Sequence, residues 1–113
     1  MNLKFGVPCS KIKDKIQDVD IYCTSEEEAM GVAAGCILAG EQPTVYMQNS
    51  GLSRCIDICL SLYHPYEIPY PKLILSIRHK PNHHHYVGAI TKEMLEMLEW
   101  TPDVETEEEI NEG

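Results

Sequence analysis

Short apolar runs alternate along the chain with longer stretches of helical period, and Gly, Pro, Ser and Asn stand at the joints. That order predicts an α/β domain. Leu3 to Val7 reads as a strand that meets a turn at Pro8, after which Ser10 caps a short lysine-rich helix through about Gln17. Asp20 to Thr24 is the next strand. Ser25 with Glu28 forms a capping box for a helix running to about Gly40, with Ala29, Val32, Ala33, Cys36 and Ile37 as its small-residue stripe. Thr44 to Met47 is a β-prone run, and Gln48-Asn49-Ser50-Gly51 turns it sharply into a helix over roughly Leu52 to Leu62. Pro65, Pro69 and Pro71 make His64 to Pro71 an extended connector. Lys72 to Ile77 is a buried strand that delivers Arg78, His79 and Lys80 into a loop, and Pro81 to Val87 continues as loop. Thr91 caps a last helix through Trp100, with Met94, Leu95 and Leu98 on one face, and Val104 begins a further strand.

The 113 residues suffice for one small domain, and 43% hydrophobic content is that of an ordinary globular protein. A formal charge of −9 disfavours nucleic acid and anionic membrane as partners. The charge is uneven: Asp103, Glu105, Glu107, Glu108, Glu109 and Glu112 hold six of the 18 acids, leaving twelve acids against nine bases in residues 1–102. We therefore expect an α/β domain over 1–102 and an acidic, solvated tail over 103–113. No apolar run is long enough for a membrane span and the start lacks the features of a signal peptide, so a cytoplasmic protein is expected. Five cysteines without CxxC spacing suit reduced, buried thiols. Cys55 and Cys59 share a helix face and are conceivable metal ligands, although structural thiols explain them better.

Strand, tight polar turn, then helix is where α/β proteins bind ligands. The Gln48 to Gly51 turn offers amides, a hydroxyl and backbone N–H groups that suit a polar heterocycle or an anion, or it is an ordinary turn. It is not a nucleophile elbow, because Gln48 stands where that motif needs glycine. Glu26, Glu27 and Glu28 either compensate the dipole of their helix, or Glu26 projects into a cleft as a general acid or base. His83, His84 and His85 are adjacent, so their side chains diverge and no metal set results; they form a polar or substrate-contacting loop. Arg78 and Lys80 are either anion-holding groups past a strand end or surface charge.

Taken together, Phe5-Gly-Val-Pro8, Glu26-Glu-Glu-Ala-Met-Gly-Val-Ala-Ala-Gly35, Leu38-Ala-Gly-Glu-Gln-Pro43 and Val45-Tyr-Met-Gln-Asn-Ser-Gly-Leu52 carry a family resemblance. Over about residues 5 to 100 the chain resembles the pyrimidine-binding domain of thiamine diphosphate-dependent decarboxylases of the phosphonopyruvate and sulfopyruvate group. The resemblance implies a three-layer α/β/α fold with a mostly parallel sheet. It implies that Glu26 hydrogen-bonds N1′ of the aminopyrimidine and so activates the cofactor, and that Gln48, Asn49, Ser50, Gly51 and Leu52 line the cofactor cleft. Arg78 and His84 then meet the anionic end of a 2-oxo acid, with His83 the neighbouring alternative, and Gly88-Ala-Ile-Thr91 opens the next helix as in the family.

The family's turn usually continues Gly-Leu-Gly-Asn with a further Asn three residues later, where this chain has Ser53, Arg54 and Asp57. It also lacks the family's helix before the first strand and ends before the last strands and helices. No Gly-Asp-Gly followed by Asn, the motif that holds Mg²⁺ and the diphosphate in this family, occurs in the sequence. The resemblance thus implies a diphosphate-binding (beta) partner subunit carrying that motif, within a homo- or hetero-oligomer, and decarboxylation only when the two are joined. A non-catalytic, truncated interaction module that docks to a decarboxylase-like partner is the competing expectation.

Overall fold

The computed structural model describes residues 2–7, 19–77 and 85–107. Its elements run β1 (Lys4–Gly6), β2 (Ile21–Tyr22), α1 (Glu26–Leu38), β3 (Thr44–Gln48), α2 (Asn49–Leu52), α3 (Ile56–Ile58), β4 (Lys72–Ile77), α4 (His85–Leu98) and β5 (Val104–Glu107). The five strands form one sheet in the order β2-β1-β3-β4-β5, and every pairing is parallel. The α/β expectation is borne out.

The register explains the core. Phe5 pairs with Val45 and Val45 with Leu73, while Met47 pairs with Leu75. In a parallel sheet, register partners project to the same face, and all five side chains are fully buried. Ala29, Met30 and Ala33 of α1, Leu52, Cys55, Cys59 and Tyr63 of the middle helical segment, and Met94, Leu95 and Leu98 of α4 complete that cluster. Helix α1 packs on α3 and α2 packs on α4, so the described helices form one continuous layer. Burial of this kind stabilises by about 25 cal/mol per Å² of apolar surface removed from water. The lysine-rich helix expected after Pro8 lies outside the described residues, as do Arg78 to His84 and the chain from Glu108.

The chain steps from β1 outward to β2, returns across β1 to β3, and then continues in one direction to β5. Reversal of strand order between β1 and β3 opens a crevice at the carboxyl ends of those strands. Gln48 ends β3 there.

Several elements differ from expectation for identifiable reasons. The buried face of α1 is Ala29, Met30, Ala33 and Ala34, whereas Val32 is exposed. Helix α1 is apolar on nearly every side, so its periodicity does not select a face; contact with the sheet does. The middle helix is not regular: α2 tightens into a 3₁₀ turn at Ser53–Cys55, resumes as α3, and widens into a π turn at Cys59–Tyr63. The Tyr63 hydroxyl, on that π turn, donates to the Met30 carbonyl at 2.7 Å. Helix α4 begins at His85, so Thr91 is an interior residue and not a cap. The sheet also continues past residue 102. Asp103 accepts from the Leu73 N–H at 2.9 Å and its own N–H donates to the Leu73 carbonyl at 2.9 Å, which starts Val104–Glu107 as β5 and corrects the boundary drawn for the acidic tail.

Candidate functional site

Helix α1 brings three carboxylates to one end, and its geometry separates them. The Ser25 hydroxyl accepts from the Glu28 N–H at 3.1 Å, capping the helix. The Glu28 carboxylate reaches back to accept from the Thr24 N–H at 3.2 Å and from the Thr24 hydroxyl at 3.1 Å. Glu28 is thereby committed to the cap, and Glu27 is exposed. Glu26 lies three, four and seven residues before Ala29, Met30 and Ala33, the spacing of one helix face. Its side chain is correspondingly only 15% exposed.

What Glu26 meets is the turn after β3. A Cβ built on Gly51 would lie 2.5 Å from Glu26 Cδ and 2.6 Å from Oε2, so the carboxylate rests directly against the glycine. The structure therefore brings together two features 25 positions apart in sequence, the helix-start glutamate and the polar turn. On the outer side Arg54 Nε stands 4.0 Å from Glu26 Oε1, with the arginine 68% exposed. An ion pair of that length and exposure contributes little.

Within the turn, Gln48, Asn49, Gly51 and Leu52 are buried and Ser50 is half-buried. Leu52 belongs to the hydrophobic core. The Asn49 side-chain amide donates to the Thr91 hydroxyl at 3.0 Å, and both residues are buried. This bond ties the turn to α4, whose first residue, His85, is the last of the three histidines. With four residues, α2 is too short for a summed helix dipole to matter, so the turn acts through its side chains. His84, His83 and Arg78 lie outside the described residues.

Two contributors escaped the sequence reading. From sequence Thr91 reads as a cap, and its spacing from Asn49 carries no local signal. Ser76 is the register partner of Gln48 at the end of β4, and its buried hydroxyl has no hydrogen-bond partner among the described residues. Nothing in a strand pattern distinguishes such a serine beforehand.

The cysteines take the structural role. The Cys55 thiol donates to the Gly51 carbonyl at 3.4 Å. Burial, then the neighbouring Cys59, then Glu26 and Glu27 push its pKa far up, and burial likewise raises that of Cys59. Among the described residues no group of three or more His, Cys, Asp and Glu is placed to hold an ion. A separate cavity of about 380 Å³, lined by Ile37, Gly40, Pro43, Tyr70 and Lys72 among others, opens at the amino ends of β3 and β4. It lies at the opposite end of the sheet from Glu26 and Gln48. Among the described residues, no helix is long and apolar enough to cross a membrane.

No protein-family model matches the chain. Individual proteins do. The sulfopyruvate decarboxylase subunit alpha of Methanocaldococcus jannaschii is 37% identical over 82 residues, covering 66% of this chain and 47% of that protein. The subunit of the same name from Methanothermobacter thermautotrophicus is 37% identical over 76 residues, covering 61% and 46%. A sulfopyruvate decarboxylase of Methanosarcina acetivorans is 35% identical over 78 residues, covering 65% of this chain and 20% of that protein. The chain thus spans about half the length of the alpha subunits it matches. Its sequence motifs and these similarities agree: the chain is a relative of the sulfopyruvate decarboxylase alpha subunits.

Proposed function

We propose that this chain is the pyrimidine-binding part of a thiamine diphosphate-dependent 2-oxo acid decarboxylase. Its substrate is a three-carbon 2-oxo acid with an anionic group at carbon 3, released as CO₂ and an aldehyde. The names of the relatives favour 3-sulfopyruvate over 3-phosphonopyruvate. The observation that carries this reading is the Glu26 carboxylate, little exposed and seated against the glycine of the turn beside the topological switch point.

The residues present fit the pyrimidine end of the cofactor. One carboxylate reaches a turn whose Gln48 and Asn49 are buried amides, a donor and acceptor set suited to a flat nitrogen heterocycle. When bound, the cofactor supplies a thiazolium group that accepts the electron pair released with CO₂. Glu26 holds the proton shared with the ring nitrogen, and Gln48, Asn49, Ser50, Gly51 and Leu52 shape the wall beside the ring. Asn49 keeps that wall rigid through Thr91. Arg78 and His84 receive the anionic end of the substrate. The diphosphate and Mg²⁺ are assigned to a diphosphate-binding (beta) subunit carrying the Gly-Asp-Gly and Asn motif, a reading supported by the naming of two relatives as alpha subunits.

The test is capture of partners by the tagged chain from its host's lysate, supplemented with thiamine diphosphate and Mg²⁺, with mass spectrometry of what co-purifies. Recovery of a motif-bearing subunit, and decarboxylation of sulfopyruvate by the pair, is the expected result. A partner recovered without retained cofactor or activity would favour the interaction module instead. One observation leans that way: Arg54, beside Glu26, replaces the residue usual in the family's turn.

A further inference from the structure

Glycines in this chain have different reasons to be glycine. Gly40 has φ +88°, a backbone region that side chains resist, and closes α1. Gly51 has no such excuse: its φ is not left-handed, and it sits inside α2, where alanine is the better helix former. The atoms nearest to a Cβ added at 51 all belong to one side chain, Glu26, and include both its carboxyl carbon and Oε2. What a side chain at 51 would meet first is Glu26.

We propose that Gly51 is a positioning residue for Glu26. The absence of a side chain at 51 is the seat that holds the carboxylate over the turn, and a methyl group there evicts it without unfolding the chain. The clash falls on Glu26 from Cγ outward, on side-chain atoms only, so it is relieved by rotating that side chain about its Cα–Cβ bond and not by moving β3 or α2. A direction for the displaced carboxylate already exists, toward the exposed Arg54, 4.0 Å away. The seat stands on geometry alone; its part in catalysis rests on the role proposed for Glu26.

The test uses the full chain with ¹³C-labelled glutamate, in which the Glu26 carboxyl resonance is identified by its loss in Glu26→Gln. In Gly51→Ala the Glu26 resonance is expected to shift while those of Glu27 and Glu28 stay, and Tm is expected to hold or rise. An unmoved Glu26 resonance would overturn the proposal. Should Tm fall, the same substitution in a Glu26→Ala background decides: a loss that vanishes there supports the seat, and an equal loss refutes it. In the assembled decarboxylase, Gly51→Ala is expected to lower turnover to the level of Glu26→Gln, with no further loss in the double variant. A displaced Glu26 with undiminished turnover would sink the catalytic role of Glu26 and leave the seat standing.

Discussion

Glu26 is held by shape more than by charge. Its ion pair among the described residues is long and made with a mostly exposed arginine, so Glu26→Gln is expected to change folding stability by no more than about 1 kcal/mol. Turnover of the assembled enzyme should fall severely in the same variant. Urea denaturation and a decarboxylation assay separate the two, and near-normal activity would refute the assignment. Asn49 is the opposite case. Its bond to Thr91 is enclosed, so Thr91→Val removes a partner from a buried amide and should cost about 1–3 kcal/mol. A urea midpoint unchanged from the parent chain would show that the amide finds other partners. Sequence identified Glu26 and Asn49 through the order of family motifs. It did not identify Thr91 as the support, because a pair 42 positions apart leaves no local pattern.

At the scale of elements, α1 is specified at its two ends and ambiguous between them. Ser25 and Glu28 set its start. At its end the Gly40 N–H donates to the Ile37 carbonyl and the Glu41 N–H to the Cys36 carbonyl, both at 2.9 Å, with Gly40 in the left-handed conformation. Gly40→Ala should therefore cost about 1 kcal/mol, readable as a lowered denaturation midpoint. Ser25→Ala should cost a similar amount, about 1 kcal/mol, through loss of the cap. Both motifs were legible because capping is a local matter of a few residues. Which face of α1 turns inward was not, since Ala, Gly, Val and Met leave no polar side to exclude. The sheet chose Ala29, Met30 and Ala33, and with them Glu26.

Over the whole molecule, the parallel sheet encloses ionisable groups that the unfolded chain exposes. Burial raises the pKa of Cys23, Cys55 and Cys59 above their ordinary 9.0, and those of Tyr63 and Tyr70 above 10.0. Above pH 9.0 the unfolded chain then sheds protons that the native chain keeps. The stabilisation is full below that pH and is lost as pH climbs toward the raised native values. Urea midpoints compared at about pH 8 and about pH 10 should show the fall; equal midpoints would contradict it. Fold class was readable at this scale, as alternating strand and helix patterns leave few arrangements with short right-handed connections. Val104 was legible as the start of a further strand; what was not legible is that the acidic segment around it belongs to the sheet and not to a solvated tail, which Asp103 decides by pairing with Leu73.

Sequence by itself determined the α/β alternation, the helix caps, the candidate carboxylate and the polar turn, together with the resemblance that joins the last two. Each is carried by neighbouring residues or by motifs in order, and such information survives without coordinates. Tertiary structure decided the face of α1, the interior place of Thr91, the reach of the sheet, and the fit of Glu26 onto Gly51. These depend on contacts between residues distant in sequence, where packing admits one arrangement among several that local preference permits.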